Sequence, residues 1–298
     1  MPKFRLGYFA DGPWSHNAFD LIVVDSSLDI AFVVARTDST DTVLLEKCEL
    51  HGIPFYKGIL INSDDFYDIA LNHECDLFVS MSFNQIFKHR ITNLPKHGTI
   101  NCHAGKLPFY RGRNILSWAL INNEKEFGIT VHYIDQGIDT GNIILQRTYP
   151  ITEQDTYQTL LEQAYRACPV VLYDSIIIVH SGKVVPVEQS TIHPVGFYCG
   201  KRGVGDEIVN WNSSSLVLFN FIRAICFPGP QAQTTMQGHV VKINGARMIE
   251  DAPEYISTIG QIVGKTENGY IVKTVDTTIE IFDVEANVKL KIGDKLGS

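Results

Sequence analysis

The sequence lacks any long uninterrupted hydrophobic segment. Of its 298 residues, 45% are hydrophobic and 19% are charged, which is ordinary for a folded globular chain. Its most apolar run, Val170–Val179, is interrupted by Asp174, whereas a membrane-spanning helix needs about 20 predominantly apolar residues. The first residues also show no long apolar stretch with a small-residue cleavage site. We therefore predict no secretory signal, no membrane association and a cytoplasmic location.

A surplus of positive charge is also missing. The chain has 25 basic and 33 acidic residues, which gives a formal net charge of −8. Residues 191–298 alone hold 10 basic and 11 acidic side chains. Because proteins hold nucleic acids largely through a basic surface, this balance predicts no nucleic-acid partner.

The six cysteines show no paired spacing. No C-x-x-C occurs, and no two cysteines lie closer than 27 positions. That excludes the common zinc-ribbon, zinc-finger and thioredoxin arrangements. We expect reduced, mostly buried thiols and no metal site.

The first predicted loop, Ala10–His16, lacks the glycine patterns of common nucleotide-binding proteins. It has no G-x-G-x-x-G, and Pro13-Trp14 stands where a P-loop needs Lys-Ser/Thr. We expect neither a nicotinamide dinucleotide site nor a P-loop. Asp11, Trp14 and His16 are candidates for substrate contact, and the alternative is an ordinary polar loop with one anchoring aromatic.

Strand and helix signals alternate over about the first 150 residues. Near-continuous apolar runs typical of buried strands lie at Phe4–Phe9, Ile30–Arg36, Leu77–Met81, Thr99–Cys102 and Ile129–Tyr133. The predicted helices are Asp41–His51, Asp64–Asn72, Gln85–Thr92, Asn114–Asn122 and then Tyr157–His180, where Pro169 leaves a kink or a break open. This alternation predicts an α/β fold with a Rossmann-like, mostly parallel sheet covered by helices on both faces.

The pattern changes after about residue 185. A serine-capped helix is predicted at Ser213–Ile225. Short strands then follow at His239–Ile243, Ile259–Val263, Tyr270–Val275 and Thr278–Phe282. These elements predict a small C-terminal β-rich, OB-like domain. We place the two domains at residues 1–195 and 196–298.

Asn101, His103 and Asp139 form the strongest catalytic pattern. Asn101 and His103 lie two positions apart at the end of a predicted strand, so their side chains point the same way. A carboxamide N–H stabilises a developing oxyanion, and an imidazole takes or gives a proton near neutral pH. Asp139, on a glycine-flanked loop after the next strand, is placed to orient that imidazole. The set suits attack on a carbonyl by an external nucleophile.

Simpler interpretations of this segment stay open. Asn-x-His and Asp-x-Gly each occur in ordinary turns. A Cys102–His103 nucleophile pair is disfavoured because neighbouring residues of a strand face opposite sides, so we expect Cys102 in the core. A metal site at the same two residues lacks further ligands at a suitable spacing.

The order of the motifs resembles the folate-dependent formyltransferase family. The chain combines Asn101-x-His103, Leu107-Pro108-x-x-Arg111-Gly112 and Asp139-x-Gly141. Further residues resemble the linker and C-terminal helix of the longer members: Phe197-Tyr198-x-x-Lys201-Arg202, Asp206, Trp211, Asn220-x-x-Arg223-Ala224, Pro228 and Pro230. The resemblance thus covers most of the chain. It implies N10-formyltetrahydrofolate as formyl donor and an amine as acceptor, with Asn101, His103 and Asp139 as the catalytic residues.

Family position also implies which residues hold the folate. The pterin is expected against two loops, largely through backbone groups. The residues concerned are Met81, Phe83, Asn84, Ile86, Ile134, Gly137 and Ile138. For Phe83, Ile86 and Ile138 the alternative is plain core packing.

The string Asn101–Asn114 resembles bacterial enzymes that formylate dTDP-linked amino-dideoxy sugars for O-antigen or other surface polysaccharide synthesis. Lys106, a departure from many family members, suits a phosphate or pyrophosphate. We expect a 3- or 4-amino-6-deoxyhexose, with dTDP-4-amino-4,6-dideoxyglucose first. The expected substrate contacts are Asp11, Trp14, Lys106, Tyr110, Arg111, Arg113, Tyr198, Lys201 and Arg202. For Arg111 the alternative is a structural tie between its loop and the sheet.

Three other functions stay open. One is methionyl-tRNA formyltransferase, which the acidic charge disfavours. The second is a folate- or nucleotide-binding homologue without turnover. The third is hydrolysis of the formyl donor with water as acceptor. For the main interpretation the expected partner is a small nucleotide sugar, and the resemblance is compatible with a homodimer through the C-terminal domain.

Overall fold

The computed structural model describes residues 2–298 and contains two compact units, each built from three stretches of chain. The first unit holds the described residues up to Gly112 together with Phe127–Tyr149 and Glu162–Cys199. The second unit holds Arg113–Glu126, Pro150–Leu161 and Gly200–Ser298. The division at residue 195 stays a prediction.

A seven-stranded sheet forms the centre of the first unit, in the order β3-β2-β1-β4-β5-β7-β8. The strands are β1 (Phe4–Ala10), β2 (Leu28–Ala35), β3 (Phe55–Tyr56), β4 (Leu77–Met81), β5 (Thr99–His103), β7 (Glu126–Tyr133) and β8 (Ile143–Pro150). The pairs from β3 to β5 are parallel, and β7 runs antiparallel to β5. A separate short parallel ladder joins β6 (Arg111–Gly112) to β9 (Tyr198–Cys199). The predicted mixed α/β, mostly parallel sheet is confirmed.

The helices lie between strands along the described chain. They are α1 (Gly12–Val23), α2 (Val43–His51), α3 (Asp64–Asn72), α4 (His89–Thr92), α5 (Ile115–Ile121), α6 (Tyr157–His180), α7 (Gln189–Ile192) and α8 (Ser215–Ile225). The hydroxyls of Ser63 and Ser214 accept hydrogen bonds from the first turns of α3 and α8, as N-cap serines do.

Phenylalanine dominates one core cluster of the first unit. Phe9 lies at its centre and makes edge-to-face contacts with five other phenylalanine rings, those of Phe32, Phe66, Phe78, Phe83 and Phe87. Such ring pairs add roughly 0.5–1.5 kcal/mol each beyond the area they bury. The cluster holds β1, β2 and β4 rigidly, so the loops at the carboxyl ends of these strands start from fixed positions.

Pro169 neither breaks nor ends α6, which is continuous from Tyr157 to His180. A proline lacks the N–H that would bond the carbonyl four residues earlier. That carbonyl, of Tyr165, accepts a hydrogen bond from Asn17 Nδ2 at 3.3 Å instead. A partner from outside the helix thus offsets the cost of the proline.

A five-stranded antiparallel sheet dominates the second unit, in the order β10-β11-β14-β13-β12. Its strands are β10 (Ala232–Met236), β11 (His239–Met248), β12 (Ile262–Lys265), β13 (Gly269–Lys273) and β14 (Thr278–Ala286). The predicted C-terminal β-rich region is confirmed. The buried indole of Trp211 donates to Thr234 Oγ1 at 2.9 Å.

Two stretches of the first unit were predicted with the wrong kind of structure. The segment expected as a loop from residue 10 to 16 enters α1, because Ser15, Ala18, Phe19 and Ile22 form a buried helical stripe. The helix expected at Gln85–Thr92 begins only at His89. Before it, Gln85 bonds the backbone of Ile59 and Ile61, which holds the segment as a loop.

Strands β8 and β10 had no prediction. Both are rich in polar residues, and β8 lies at the edge of its sheet with several side chains exposed.

Within residues 2–298, no helix combines the length and apolar character that a membrane crossing requires.

Candidate active site

Strand β5 carries Asn101 and His103 into a shared polar cluster. The two residues lie on one side of the strand, and the antiparallel neighbour β7 places His132 directly opposite Asn101. Asn101 Nδ2 lies 3.4 Å from His132 Nε2. The expectation that Asn101 and His103 face one space is met. Cys102, between them, is buried with its Sγ 3.8 Å from the carbonyl of Cys168, as expected of a core thiol.

Asp139 completes the cluster from the loop after β7. One carboxylate oxygen, Oδ2, accepts the backbone N–H of Gly112 at 2.8 Å and lies 3.6 Å from His103 Nδ1. The other, Oδ1, lies 3.4 Å from His132 Nε2. Asp139 therefore lies between two histidines, only one of which the sequence pattern had indicated.

A backbone carbonyl determines the tautomer of His103. Its Nε2 lies 2.7 Å from the oxygen of Tyr110, which can only accept a hydrogen bond, so Nε2 carries a proton. Gly105 permits this approach, because a Cβ there would collide with both the imidazole and that carbonyl. The nitrogen that gains or loses a proton is therefore Nδ1, which faces Asp139.

His132 has two partners that require opposite protonation states of Nε2. Its Nδ1 lies 2.8 Å from the carbonyl of Tyr133 and so donates there. In the neutral ring Nε2 accepts from Asn101, whereas in the charged ring Nε2 donates to Asp139. The side chain is only 2% exposed, so these contacts are shielded from bulk water.

The cluster keeps Asp139 ionised. Burial acts to raise the pKa of Asp139, but the attraction of His103, the contacts with His132 and the Gly112 N–H outweigh it and place the pKa well below its usual range. For His103, burial lowers the pKa, while Asp139 and the Tyr110 carbonyl oppose that shift. The arrangement therefore pairs a permanent carboxylate with an imidazole that is able to cycle between its two charge states.

The expected folate residues divide into buried and exposed groups. Met81 is buried, and its carbonyl accepts from the hydroxyl of Ser15. Phe83 and Ile134 pack against the phenylalanine cluster, whereas Ile86 and Ile138 are 73% and 56% exposed. Core packing therefore fits Phe83 and is wrong for the two isoleucines.

The loops that carry these residues have two further features. Asn84 Nδ2 donates to Asp38, while its Oδ1 is shielded from solvent without a partner among the described residues. Gly137 donates its N–H to Asp135 Oδ1 at 3.0 Å. The first feature leaves a hydrogen-bond acceptor open, and the second shapes the turn that leads to Asp139.

Several expected substrate residues of the first unit already have protein partners. Asp11 precedes α1 and lies 3.8 Å from Arg36 Nε. Trp14, expected on a loop, lies in α1 and packs edge-on against Tyr165 with centroids 5.0 Å apart. Tyr110 is buried against Phe197. Lys106, half-buried, has its backbone packed close to Gly128. The structure gives Trp14 a packing role.

Arg111 has the structural contacts that its alternative interpretation predicted. Its Nε and Nη2 donate to Gln189 Oε1 at 3.1 and 2.6 Å. The guanidinium lies 5.5 Å from the ring centroid of Tyr198, which is largely exposed on its other side. Gln189 had no signal in the sequence, because it lies 78 positions from Arg111 and 50 from Asp139.

The remaining cationic candidates lie in the second unit. Lys201 and Arg202 line a cavity of about 460 Å³ together with Asn114, Ser117 and Asp206. Arg202 donates to the Asp206 carbonyl through Nη2, while its Nε is shielded and has no partner among the described residues. Arg113 is exposed. This cavity combines two cationic side chains with a volume large enough for a small ligand.

His132 is the functional residue that the sequence analysis missed. It belongs to the predicted strand Ile129–Tyr133, where a lone histidine was treated as part of the sheet. Its position on the same strand face as Thr130 was visible, but only the antiparallel register of β7 against β5 places it beside Asn101.

Two family profiles match the chain. One, described as formyl transferase, matches residues 29–176, and another, described as formyl transferase C-terminal domain, matches residues 204–293. Among curated proteins, the methionyl-tRNA formyltransferase of Bacillus cytotoxicus is 30% identical over 297 residues. That alignment covers 92% of this chain and 93% of the relative.

Solved structures show the same fold. WlaRD, a sugar 3N-formyl transferase crystallised with dTDP and 5-N-formyl-THF, has a TM-score of 0.71 at 21% identity, covering 97% of this chain and 100% of its own. The N-formyltransferase from Helicobacter canadensis, in complex with folinic acid and dTDP-3-aminofucose, has a TM-score of 0.70 at 22% identity, covering 94% and 99%. At these identities the likeness concerns the fold.

Proposed function

The chain belongs to the formyl transferase family, and on that premise we propose that it transfers a formyl group from N10-formyltetrahydrofolate to the amino group of a dTDP-linked amino-deoxy sugar. The observation that carries the chemistry is the convergence of Asn101, His103 and Asp139 in one polar cluster, in which His103 is buried. The sugar-nucleotide acceptor rests on separate arguments, given below.

Asn101 is proposed to stabilise the oxyanion that forms when the amine attacks the formyl carbon. Its carboxamide has two N–H groups. One of them points to His132 Nε2 at 3.4 Å, and the other is proposed to meet the ligand. A positioned donor of this kind typically contributes about 10²–10³ in rate.

His103 and Asp139 are proposed to move the proton. The attacking amine must lose a proton, and the departing folate nitrogen must gain one. Since Nε2 of His103 is committed to the Tyr110 carbonyl, the proton is accepted and returned at Nδ1, beside the Asp139 carboxylate. Asp139 stabilises the imidazolium that forms in between.

The residues present fit the folate expected from the family. A pterin offers N–H donors along one edge and an apolar face. The shielded Oδ1 of Asn84 is an acceptor without a partner in the part of the chain that the structure describes, and Ile86 and Ile138 present exposed apolar side chains on the two loops concerned. Met81, Phe83, Ile134 and Gly137 support these loops, and bound folate supplies the formyl group.

A diphosphate-bearing acceptor is favoured by the cationic side chains at a cavity of the second unit. Within the second unit, Lys201 and the Arg202 guanidinium line a cavity of about 460 Å³. Arg202 Nε is shielded without a partner among the described residues, which is costly unless a ligand satisfies it. We propose Lys201 and Arg202 as diphosphate contacts, with Arg113 as a further cation. Two structures with this fold were solved with dTDP or dTDP-3-aminofucose.

Methionyl-tRNA formyltransferase is the second candidate. It is favoured by the 30% identity to a curated enzyme of that name over nearly the whole chain. Against it stands the net charge of −8, because a tRNA acceptor needs a protein surface that attracts a polyanion.

A formylation assay separates the two. The protein is mixed with N10-formyltetrahydrofolate and, in turn, dTDP-4-amino-4,6-dideoxyglucose, its 3-amino isomer, their galacto counterparts, UDP-4-amino-arabinose and aminoacylated initiator tRNA. Mass spectrometry then detects the replacement of one amine hydrogen by a formyl group. We expect formylation of a dTDP-sugar. Formylation of the tRNA alone would overturn the sugar assignment, and consumption of the donor without any amine would indicate hydrolysis.

A further inference from the structure

Gln189 uses every hydrogen-bonding group of its side chain within the first unit. It opens the short helix α7 and is 3% exposed. Its Nε2 donates to the carbonyls of Asp139 at 2.9 Å and Gly141 at 2.8 Å. Its Oε1 accepts from Nε and Nη2 of Arg111. A carboxamide with both N–H groups and its oxygen satisfied is locked in one orientation.

The two carbonyls that Gln189 contacts belong to a strained turn. Asp139 has a φ of 54°, in the left-handed region that residues other than glycine rarely adopt. Gly141 lies so close to the Tyr133 carbonyl that any side chain would collide with it. A conformation of this kind persists only where surrounding contacts hold it, and Gln189 supplies two of those contacts.

Arg111 links the same glutamine to the carboxylate of Asp139. Its backbone N–H donates to the Phe197 carbonyl at 3.2 Å, and the next residue, Gly112, donates its N–H to Asp139 Oδ2 at 2.8 Å. A closed ring of contacts thus runs from Gln189 through Arg111 and Gly112 to the side chain of Asp139, and from the Asp139 carbonyl back to Gln189.

We propose that Gln189 is a positioning residue that holds the Asp139 turn so that its carboxylate faces His103 and His132. This inference rests on the proposed function, in which Asp139 stabilises the protonated His103. Gln189 touches neither histidine. It acts through the backbone of Asp139 and through the turn that supplies the Gly112 N–H.

Two variants separate the contact of Gln189 with Arg111 from its contacts with the Asp139 and Gly141 carbonyls. Gln189→Met keeps the length of the side chain and removes all its hydrogen bonds. Gln189→Glu retains an acceptor for Arg111 but loses the donor to the Asp139 and Gly141 carbonyls. Gln261→Met is the matched control, because Gln261 likewise donates to a loop carbonyl, that of Gly293, in the second unit.

The first measurement needs no turnover. Amide exchange of Gly112 is followed by NMR in the ligand-free protein, and we expect at least about tenfold faster exchange in both Gln189 variants, as local opening of the turn predicts. In Gln189→Met we also expect the pKa of His103 to fall by about 0.5–1 unit, since a displaced carboxylate no longer favours the imidazolium. The control leaves both quantities unchanged.

The second measurement is kinetic. With the acceptor that the wild-type protein formylates, kcat falls at least about tenfold in both Gln189 variants, while KM for donor and acceptor changes less than about twofold, as loss of transition-state positioning predicts. The acid limb of the kcat/KM profile moves to lower pH in Gln189→Met, following His103.

The outcomes are distinct. Unchanged Gly112 exchange and His103 titration in Gln189→Met would overturn the positioning role whatever the enzyme does. If Gln189→Met does not fold, unchanged Gly112 exchange and unchanged kcat in Gln189→Glu would equally overturn the positioning role. A wild-type protein that formylates no acceptor, with Gly112 exchange still faster in the variants, would count against the proposed function and leave the positioning of Asp139 supported.

Discussion

The polar cluster of the first unit and the cavity of the second hold their polar groups in opposite ways. In the cluster, His103 and His132 are buried, the side chain of Asp139 is 12% exposed, and the three are paired with one another and with backbone groups. In the second, Lys201 and Arg202 line an open cavity, and one guanidinium nitrogen has no partner among the described residues. Preorganised groups suit a reacting centre, whereas unsatisfied cations suit an anionic ligand. Substitutions should therefore affect turnover in the first unit and ligand affinity in the second.

The largest effect on kcat is expected at His103 and Asp139, in the polar cluster of the first unit. His103→Asn and Asp139→Asn should each lower kcat by about 10²–10⁴, because proton transfer at Nδ1 or its charge stabilisation is lost. Steady-state kinetics with the identified acceptor measure this. Tm values near that of the wild type are the control for folding. A fall of less than about tenfold in His103→Asn would move the proton transfer to another group.

Loss of the Asn101 carboxamide is expected to lower kcat by about 10²–10³, because its N–H would stabilise the oxyanion. Asn101→Ala removes this donor and also the partner of His132. His132→Phe separates the two losses, since it leaves Asn101 in place. We expect His132→Phe to lower kcat less than Asn101→Ala does. The reverse order would assign the main role to the histidine.

In the second unit the expected change is in binding. Lys201→Ala should raise the KM for the sugar nucleotide about tenfold, the equivalent of roughly 1.4 kcal/mol, with kcat within about twofold. Lys183→Ala, at an exposed lysine of the first unit, is the control and should change neither constant. A large fall in kcat with unchanged KM for Lys201→Ala would contradict the distinction between the units.

The smallest effect is on stability. The pKa of Asp139 is depressed in the folded protein from its ordinary value of 3.8, so its carboxylate stabilises the fold above about that pH, and this contribution is lost as the pH falls below it. Thermal unfolding should show Asp139→Asn losing roughly 1 kcal/mol less, relative to wild type, at pH 3 than at pH 7.

The fold was predictable wherever the local pattern was unambiguous. The long helix Tyr157–His180 was predicted with its observed bounds, and β1, β4 and β5 deviate by at most one residue. Helix α1 escaped prediction because its Gly12-Pro13 start is also typical of a loop. β8 and β10 were missed since polar strands at or near a sheet edge carry little hydrophobic signal.

The candidate site likewise contains residues that the sequence predicts and residues that it does not. Asn101 and His103 were predictable as a pair because strand geometry alone puts residues two apart on one side. His132 was not, because its approach to Asn101 depends on β7 running antiparallel to β5. Gln189 was not either, because it lies 50 positions from Asp139 and 78 from Arg111.

By itself, the sequence determined the alternation of strands and helices, the acidic charge, the buried thiols and the pair Asn101/His103. Each depends on composition or on residues near one another along the chain. Only the tertiary structure decided that Asp139 lies between two histidines, that Nδ1 is the proton-exchanging nitrogen of His103, and that Gln189 closes the ring of contacts. These depend on strand order, register and backbone groups from distant segments, which local patterns do not encode.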